Sequence, residues 1–148
     1  MKVTTEIDVN PKAYFKHLYS RSLADIKKST GKDLKLKDLI DGYDYVKMIQ
    51  YKKKEVPIRM HIGPLIENKF FQVSYETAET KCLYYYDFST VDDRYYVTYF
   101  EDNNYKEETV GNYLGNLKRS FTRKVIERKI LDNIELTTTY IKNHEEDK

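Results

Sequence analysis

The stretch from Gly111 to Lys142, GNYLGNLKRSFTRKVIERKILDNIELTTTYIK, forms most of the longest element that the sequence predicts, a helix from about Glu107 to Lys142. Its first apolar residues recur at steps of three and four, which places them on one face of a helix. They are Val110, Tyr113, Leu114, Leu117, Phe121 and Val125. We therefore expect this face to cover an apolar surface on which the fold closes.

The apolar face of this helix changes direction halfway along. A straight continuation would place Lys124 and Arg128 inward. The apolar residues instead reappear on another side, as Ile130, Ile134 and Ile141. Either the helix bends at this junction, or its second half packs on a different surface, such as a neighbouring helix or another subunit.

The start of the chain predicts a strand and then a helix. Lys2–Val9 alternates apolar and polar residues, as in a half-buried strand. Asn10 is a good helix N-cap and Pro11 suits a first helical position, so a helix should run from Pro11 to about Thr30 and stop at Gly31. Its inner face should contain Phe15, Leu18, Tyr19, Ser22, Leu23 and Ile26.

The middle of the chain predicts a short helix and five strands. The helix should run from about Lys35 to Ile40 and end at Gly42. The strands are predicted at Tyr43–Tyr51, Val56–Ile62, Lys69–Thr77, Thr80–Phe88 and Arg94–Glu101. Short polar turns between them indicate antiparallel hairpins, so the fold class is α+β, with an antiparallel sheet and segregated helices.

Three segments carry a resemblance to known proteins: KVTTEIDVNPKAYFKHLYSRSLADIKKSTGKDLK, DRYYVTYFED and the basic LKRSFTRKVIERK. The order of the predicted elements, a strand, two helices, a five-strand meander and a long helix, resembles the START-like helix-grip superfamily, which includes the polyketide cyclase and birch-pollen-allergen types. Within it, the chain is similar to a family of small Gram-positive bacterial proteins of unknown function. The resemblance implies a curved antiparallel sheet of six to seven strands wrapped around a long C-terminal helix, with two shorter helices after the first strand.

The resemblance also implies a cavity between the concave face of the sheet and the long helix, which the superfamily uses for apolar small molecules. We expect the strand faces that contain Val73 and Val97 to point inward, while either face of strand 80–88 is apolar enough to do so. The residues predicted to line the cavity are Met60, Val73, Tyr75, Tyr85, Val97, Tyr99, Tyr113, Leu117 and Phe121. For any one tyrosine, a cross-strand aromatic contact is the alternative to a ligand contact.

No catalytic or metal-binding motif is present in the sequence, and we predict no catalytic residue, metal or cofactor. His61 shares a strand face with Arg59. If that face were concave, His61 and a tyrosine would be placed for acid–base chemistry, and a surface histidine is the alternative. Cys82 is expected to be a buried thiol rather than a nucleophile.

Composition favours one domain, at residues 1–143, with a frayed acidic tail at 144–148. The net charge of +2 is too small to indicate a nucleic-acid partner, and the basic residues of the long helix point in many directions. No apolar run is long enough to span a membrane, and the first ten residues do not resemble a signal peptide. A lone Cys82 fits a cytoplasmic protein.

Three functions from different classes are compatible with this sequence. The first is a protein that binds an apolar or amphipathic small molecule without chemistry. The second is a cyclase-like or dehydratase-like enzyme that uses the same cavity. The third is an interaction module or homodimer, with a filled cavity and an exposed apolar patch around Ile130, Ile134 and Ile141.

Overall fold

A computed structural model describes residues 1–38, 41–105 and 113–145 of the chain, without the side chains of 103–105, 113–122 and 145. Within these residues one helix follows the first strand, five further strands follow that helix, and a long helix comes last. The elements are β1 (Lys2–Ile7), α1 (Pro11–Thr30), β2 (Tyr43–Tyr51), β3 (Lys54–Ile66), β4 (Phe70–Glu76), β5 (Thr80–Val91), β6 (Arg94–Tyr105) and α2 (Tyr113–Glu145).

The strands form one open antiparallel sheet in the order β1-β6-β5-β4-β3-β2. Strands β2 to β6 are joined as consecutive hairpins. Strand β1 crosses to the far end of this meander and pairs with β6, with Val3 opposite Tyr99. The α+β class is therefore confirmed, with six strands in the described part of the chain.

Helix α1 has the bounds that its capping residues predict. The side chain of Asn10 accepts a 2.9 Å hydrogen bond from the amide of Lys12, and Pro11 occupies the first turn. At the other end Gly31 adopts a left-handed conformation with φ of 76°, and its amide donates to the carbonyl of Lys27. Both ends thus satisfy backbone groups that a helix leaves unpaired.

One face of the sheet, here called the inner face, packs against α1 and the second half of α2. Val73 and Val97 point to this face and are fully buried, as predicted. The ambiguity of β5 is settled by the register, since Tyr86 lies opposite Tyr99 and Phe88 lies opposite Val97. The inner residues of β5 are Cys82, Tyr84, Tyr86 and Phe88.

The core lies where α1 crosses the inner face, and aromatic rings form its centre. Tyr14 is only 1% exposed, and its ring centroid lies 5.3 Å from that of Phe88 and 5.8 Å from that of Tyr86. Phe15 contacts Phe71 edge-on at 5.6 Å. Edge and tilted contacts of this kind add to the hydrophobic stabilisation of a core.

The second half of α2 packs on a neighbouring helix, one of the two arrangements predicted for it, so the exposed isoleucine patch that an interaction module would need is not observed. Ile134 and Ile141 are buried in the same core cluster as Tyr14, and Ile130 packs against it. The stripe rotates because this half of α2 meets α1 and β1. Val125, placed on the covered first stripe by its spacing, is 48% exposed. The other members of that stripe lie outside the described residues or side chains.

The short helix predicted at Lys35–Ile40 is wrong for the part that the structure describes. Residues 36–38 form a turn, in which the amide of Asp38 donates to the carbonyl of Lys35 and the amide of Lys35 donates to the Asp38 carboxylate. A single turn with its own side-chain cap does not repay the cost of helix nucleation. Leu39 and Ile40 lie outside the described residues.

Candidate functional site

A cavity of about 540 Å³ lies between α1, the inner face of the sheet and α2. Its volume is within the range of sites that bind small molecules, about 300 to 1,000 Å³. Apolar side chains form its floor: Leu18, Met60, Ile62, Phe71 and Val73. Ala24 and a set of polar and aromatic side chains form the rest of the described wall: Arg21, Ser22, Asp25, Lys28, Tyr45, Lys47, Tyr84, Tyr86, Tyr99 and Asn133.

The floor follows from strand alternation and register. Met60 and Ile62 are two residues apart on β3, so both point to the inner face. Ile62 pairs with Val73, which stands two residues after Phe71 on β4. Four apolar side chains from two neighbouring strands therefore form one continuous surface, and all four are buried.

Three tyrosines of β5 and β6 form the aromatic wall. The ring centroid of Tyr99 lies 5.0 Å from that of Tyr86 and 6.2 Å from that of Tyr84. The hydroxyl of Tyr99 donates a 3.1 Å hydrogen bond to Glu101 Oε2. Within the described residues, the hydroxyls of Tyr84 and Tyr86 have no hydrogen-bond partner. Both are therefore available to a group in the cavity.

Burial keeps these phenols neutral. It raises the pKa of Tyr84 and Tyr86 above the ordinary value, and the pKa of Tyr99 rises through burial first and then through Tyr86 and Glu101. A phenol with a raised pKa keeps its proton at neutral pH. The wall thus presents hydroxyl donors on apolar ring bodies.

The rim of the cavity is polar and is built mainly by α1. Arg21, Asp25 and Lys28 are four and three residues apart, which aligns them on one helical face. The hydroxyl of Tyr45 donates a 2.5 Å hydrogen bond to Asp25 Oδ2, and Lys47 Nζ lies 3.4 Å from the same oxygen. Burial, and then the bond to Asp25, raise the pKa of Tyr45.

A second cavity of about 260 Å³ continues the first along α2. The two share Tyr86, Tyr99 and Asn133, and the second is bounded by Ile130 and Ile134 on the helix. The described half of α2 therefore contributes wall residues to a space that extends across β5 and β6.

The structure brings together three of the residues predicted to line the cavity, Met60, Val73 and Tyr99. Val97 is on the inner face but fully buried beneath the packed core, and Tyr75 is partly buried against the same core. Neither is part of the described cavity wall.

The remaining predicted residues lie elsewhere. Tyr85 points to the outer face of the sheet, where its ring lies 5.0 Å from both Phe70 and Phe100. This placement follows the alternation of β5, because Tyr84 and Tyr86 point inward. The side chains of Tyr113, Leu117 and Phe121 lie outside the described part of α2.

The histidine and the cysteine of interest are both away from the cavity. His61 is on the outer face, and its Nδ1 lies 2.5 Å from Asp44 Oδ1 across β2 and β3. His61 therefore does not face the cavity, as acid–base chemistry there would require. Cys82 is a free thiol buried in the core.

Among residues 1–38, 41–105 and 113–145, no three His, Cys, Asp or Glu side chains come together as a metal site would require. Neither helix, over the residues that the structure describes, combines the length and apolar character needed to cross a bilayer.

Sequence reasoning missed the polar rim. Arg21, Asp25 and Lys28 have the composition of a solvated helix face, and their common spacing was the available signal. Only the pairing of Asp25 with Tyr45 and Lys47, which lie 20 and 22 residues further along the chain on β2, shows that this face borders a cavity.

Several solved structures have a fold similar to that of this chain. A protein of unknown function from Staphylococcus aureus, SA2116, aligns with a TM-score of 0.59 at 15% identity, over 100% of this chain and 96% of that chain. Ara h 8.0201 aligns with a TM-score of 0.59 at 9% identity over 97% of each chain. The protein TTHA0849 from Thermus thermophilus gives 0.53 at 10% identity, over 95% of this chain and 97% of that chain.

These identities are low enough that the likeness concerns the fold alone. No curated protein matches the chain in sequence. A family match covers residues 1–125, from β1 into the first half of α2. The chain belongs to the family described as Domain of unknown function (DUF3284).

Proposed function

We propose that this protein binds an amphipathic small molecule in the cavity between α1, α2 and the inner face. The observation that carries this proposal is the cavity of about 540 Å³, with an apolar floor beneath a polar rim. Burying apolar ligand surface contributes roughly 25 cal/mol per Å², whereas polar groups mainly fix orientation. A ligand with one apolar and one polar end satisfies both parts of the wall.

The proposal includes the helix-grip arrangement that the START-like resemblance implies. In it the sheet curves around α2. Tyr75, Tyr85 and Val97 remain in the proposal only as parts of the surrounding sheet. The similar folds of the solved structures support this arrangement.

An enzyme that uses the same cavity is the second candidate. The observation that favours it is the contact between Asp25 and Tyr45 at the rim, a carboxylate and a phenol within hydrogen-bond distance. Binding without chemistry ranks first because Tyr45 and Lys47 already engage the Asp25 carboxylate.

Dimerisation through the second half of α2 has lost its support, because Ile134 and Ile141 are buried within the chain.

Nile red, a neutral fluorescent apolar dye, tests the cavity directly. Ser22 lines the cavity, whereas Ser20 on the same helix is exposed to solvent. Ser22→Phe adds a ring to the cavity, and Ser20→Phe adds the same ring to the surface. We expect saturable dye binding to the unmodified protein and to the Ser20→Phe variant, and binding at least about tenfold weaker for Ser22→Phe.

Native mass spectrometry of the freshly purified protein complements this titration. A small molecule released on denaturation supports the proposal and identifies the ligand class. No saturable dye binding and no released mass contradict the proposal, as does equal binding by the two phenylalanine variants.

A further inference from the structure

We infer that the ligand has an anionic carboxylate head, and that Arg21 binds this head together with the hydroxyls of Tyr84 and Tyr86. This inference rests on the proposed function and adds the chemical class of the ligand and its orientation. The tail would lie on the apolar floor, and the head would lie at the rim beside α1.

The charges of the rim do not cancel. Arg21, Lys28 and Lys47 line the cavity with one carboxylate, Asp25. Lys47 pairs with Asp25 at 3.4 Å. In the part of the chain that the structure describes, neither Arg21 nor Lys28 forms an ion pair with a carboxylate. Two uncompensated cations therefore border the opening, and they favour an anion there.

Arg21 is close enough to the tyrosine wall for its charge to act on it. The guanidinium partly offsets the rise in pKa that burial causes at the phenols of Tyr84 and Tyr86. It has the same effect on Tyr14. Arg21 also lines the same cavity as Tyr84 and Tyr86, so its charge and their hydroxyls border one space.

The tyrosine hydroxyls are donors that the protein leaves available. Within the described residues, those of Tyr84 and Tyr86 make no hydrogen bond to the protein, and both phenols keep their protons at neutral pH. A carboxylate accepts hydrogen bonds only, and the planar guanidinium of Arg21 matches its two oxygens. The wall is thus complementary to a carboxylate in charge and in hydrogen bonding.

Other head groups fit less well. A cationic head would meet Arg21 and Lys28 without a free carboxylate to pair with, since Asp25 is engaged. A wholly apolar ligand would leave the hydroxyls of the wall without acceptors, which costs about 1 to 3 kcal/mol for each buried polar group. A doubly charged phosphate would lie on the same rim as Asp25, so a single negative charge is favoured.

Decanoate and decanol distinguish the contribution of the charged head from that of the apolar tail, because the two probes share an alkyl chain and differ in charge. Each is titrated against protein with bound Nile red, and displacement gives its affinity. We expect Arg21→Gln to weaken decanoate binding about tenfold or more and to leave decanol binding unchanged within about twofold. Arg21→Lys should recover part of the decanoate affinity, since it keeps the charge and loses the planar fork.

Lys27→Gln is the matched control. It removes the same charge from the same helix, but Lys27 pairs with Asp33 and does not line the cavity. We expect this variant to bind both probes as the unmodified protein does. Tyr84→Phe should weaken decanoate binding a few-fold, as the loss of one hydrogen bond predicts.

The outcomes distinguish this inference from the proposed function. Binding of both probes with an equal effect of Arg21→Gln on each, or with no effect on either, overturns the carboxylate inference and leaves the cavity as a binding site. The same loss in Lys27→Gln as in Arg21→Gln also overturns it, because a general charge effect would then explain the result. Failure of both probes to displace Nile red overturns the inference. The proposed function is tested separately, by the dye titration alone.

Discussion

The hydroxyl of Tyr45 donates a 2.5 Å hydrogen bond to Asp25 Oδ2, and this bond joins the edge strand β2 to helix α1. Lys47 reaches the same carboxylate from two residues further along β2. Tyr45 and Lys47 on β2, together with Asp25 on α1, close one side of the cavity rim.

Tyr45→Phe should therefore destabilise the protein. The variant keeps the buried ring and removes a hydrogen bond to a charged group, so we expect the free energy of unfolding to fall by about 1.5 to 3 kcal/mol. Urea unfolding measures this change. Tyr51→Phe, which removes the hydroxyl of an exposed tyrosine on the same strand, should change stability by less than about 0.5 kcal/mol. Equal effects of the two variants would show that the Asp25 contact contributes nothing.

Ile134→Ala tests whether the second half of α2 packs within the chain. Ile134 is 4% exposed. Its truncation to alanine leaves a cavity, so we expect the free energy of unfolding to fall by about 2 to 5 kcal/mol. Leu136, two residues away on the same helix, is 70% exposed, and Leu136→Ala should change stability by less than about 0.5 kcal/mol. A small effect at Ile134 together with a concentration-dependent melting temperature would instead support an interface between subunits.

Buried tyrosines predict a loss of stability in alkaline solution. Burial raises the pKa of Tyr14 from 10.0 to about 12, so the unfolded chain releases this proton at lower pH than the folded chain. The protonated Tyr14 phenol therefore favours the folded state. This contribution to the free energy of unfolding is complete below about pH 10 and is lost as the pH rises toward 12. Comparing urea unfolding of the unmodified protein and Tyr14→Phe across this interval isolates one phenol. We expect a pH slope shallower by at most about 1.4 kcal/mol per pH unit in the variant, and an unchanged slope would contradict the raised pKa.

His61→Ala should leave ligand binding unchanged. Its imidazole lies on the outer face of the sheet beside Asp44, away from the cavity wall. Because both side chains are largely exposed, we expect stability to change by less than about 1 kcal/mol. Nile red titration and urea unfolding check the two statements. Weaker dye binding at unchanged stability would show that the outer face communicates with the cavity.

Local rules predicted much of this fold because local physics decides it. Capping at Asn10 and Gly31 set both ends of α1, and alternation placed Val73 and Val97 inward. The bounds of β2 were also predicted, since polar turns flank the strand on both sides. Where neighbouring residues determine the conformation, sequence alone is sufficient.

Long-range contacts explain what sequence reasoning missed. Tyr14 precedes Phe15 on α1 and is the more buried of the two, because Phe88 and Tyr86 surround it from a distant strand. Both faces of β5 are aromatic, so only the register with β6 selects Tyr84 and Tyr86 over Tyr85. The site depended most on such pairings, because only the contacts of Asp25 with Tyr45 and Lys47 identify it as part of the cavity rim.

Strand order also has a consequence for how the chain folds. Five strands form a meander of consecutive hairpins, whereas β1 pairs with the last of them, placing Lys2 opposite Phe100. Closing that pair costs more chain entropy than closing any hairpin, because the loop is the longest in the sheet. We expect β2 to β6 to associate early and β1 to dock late. During synthesis, β1 therefore leaves the ribosome before β6, the strand with which its backbone forms hydrogen bonds.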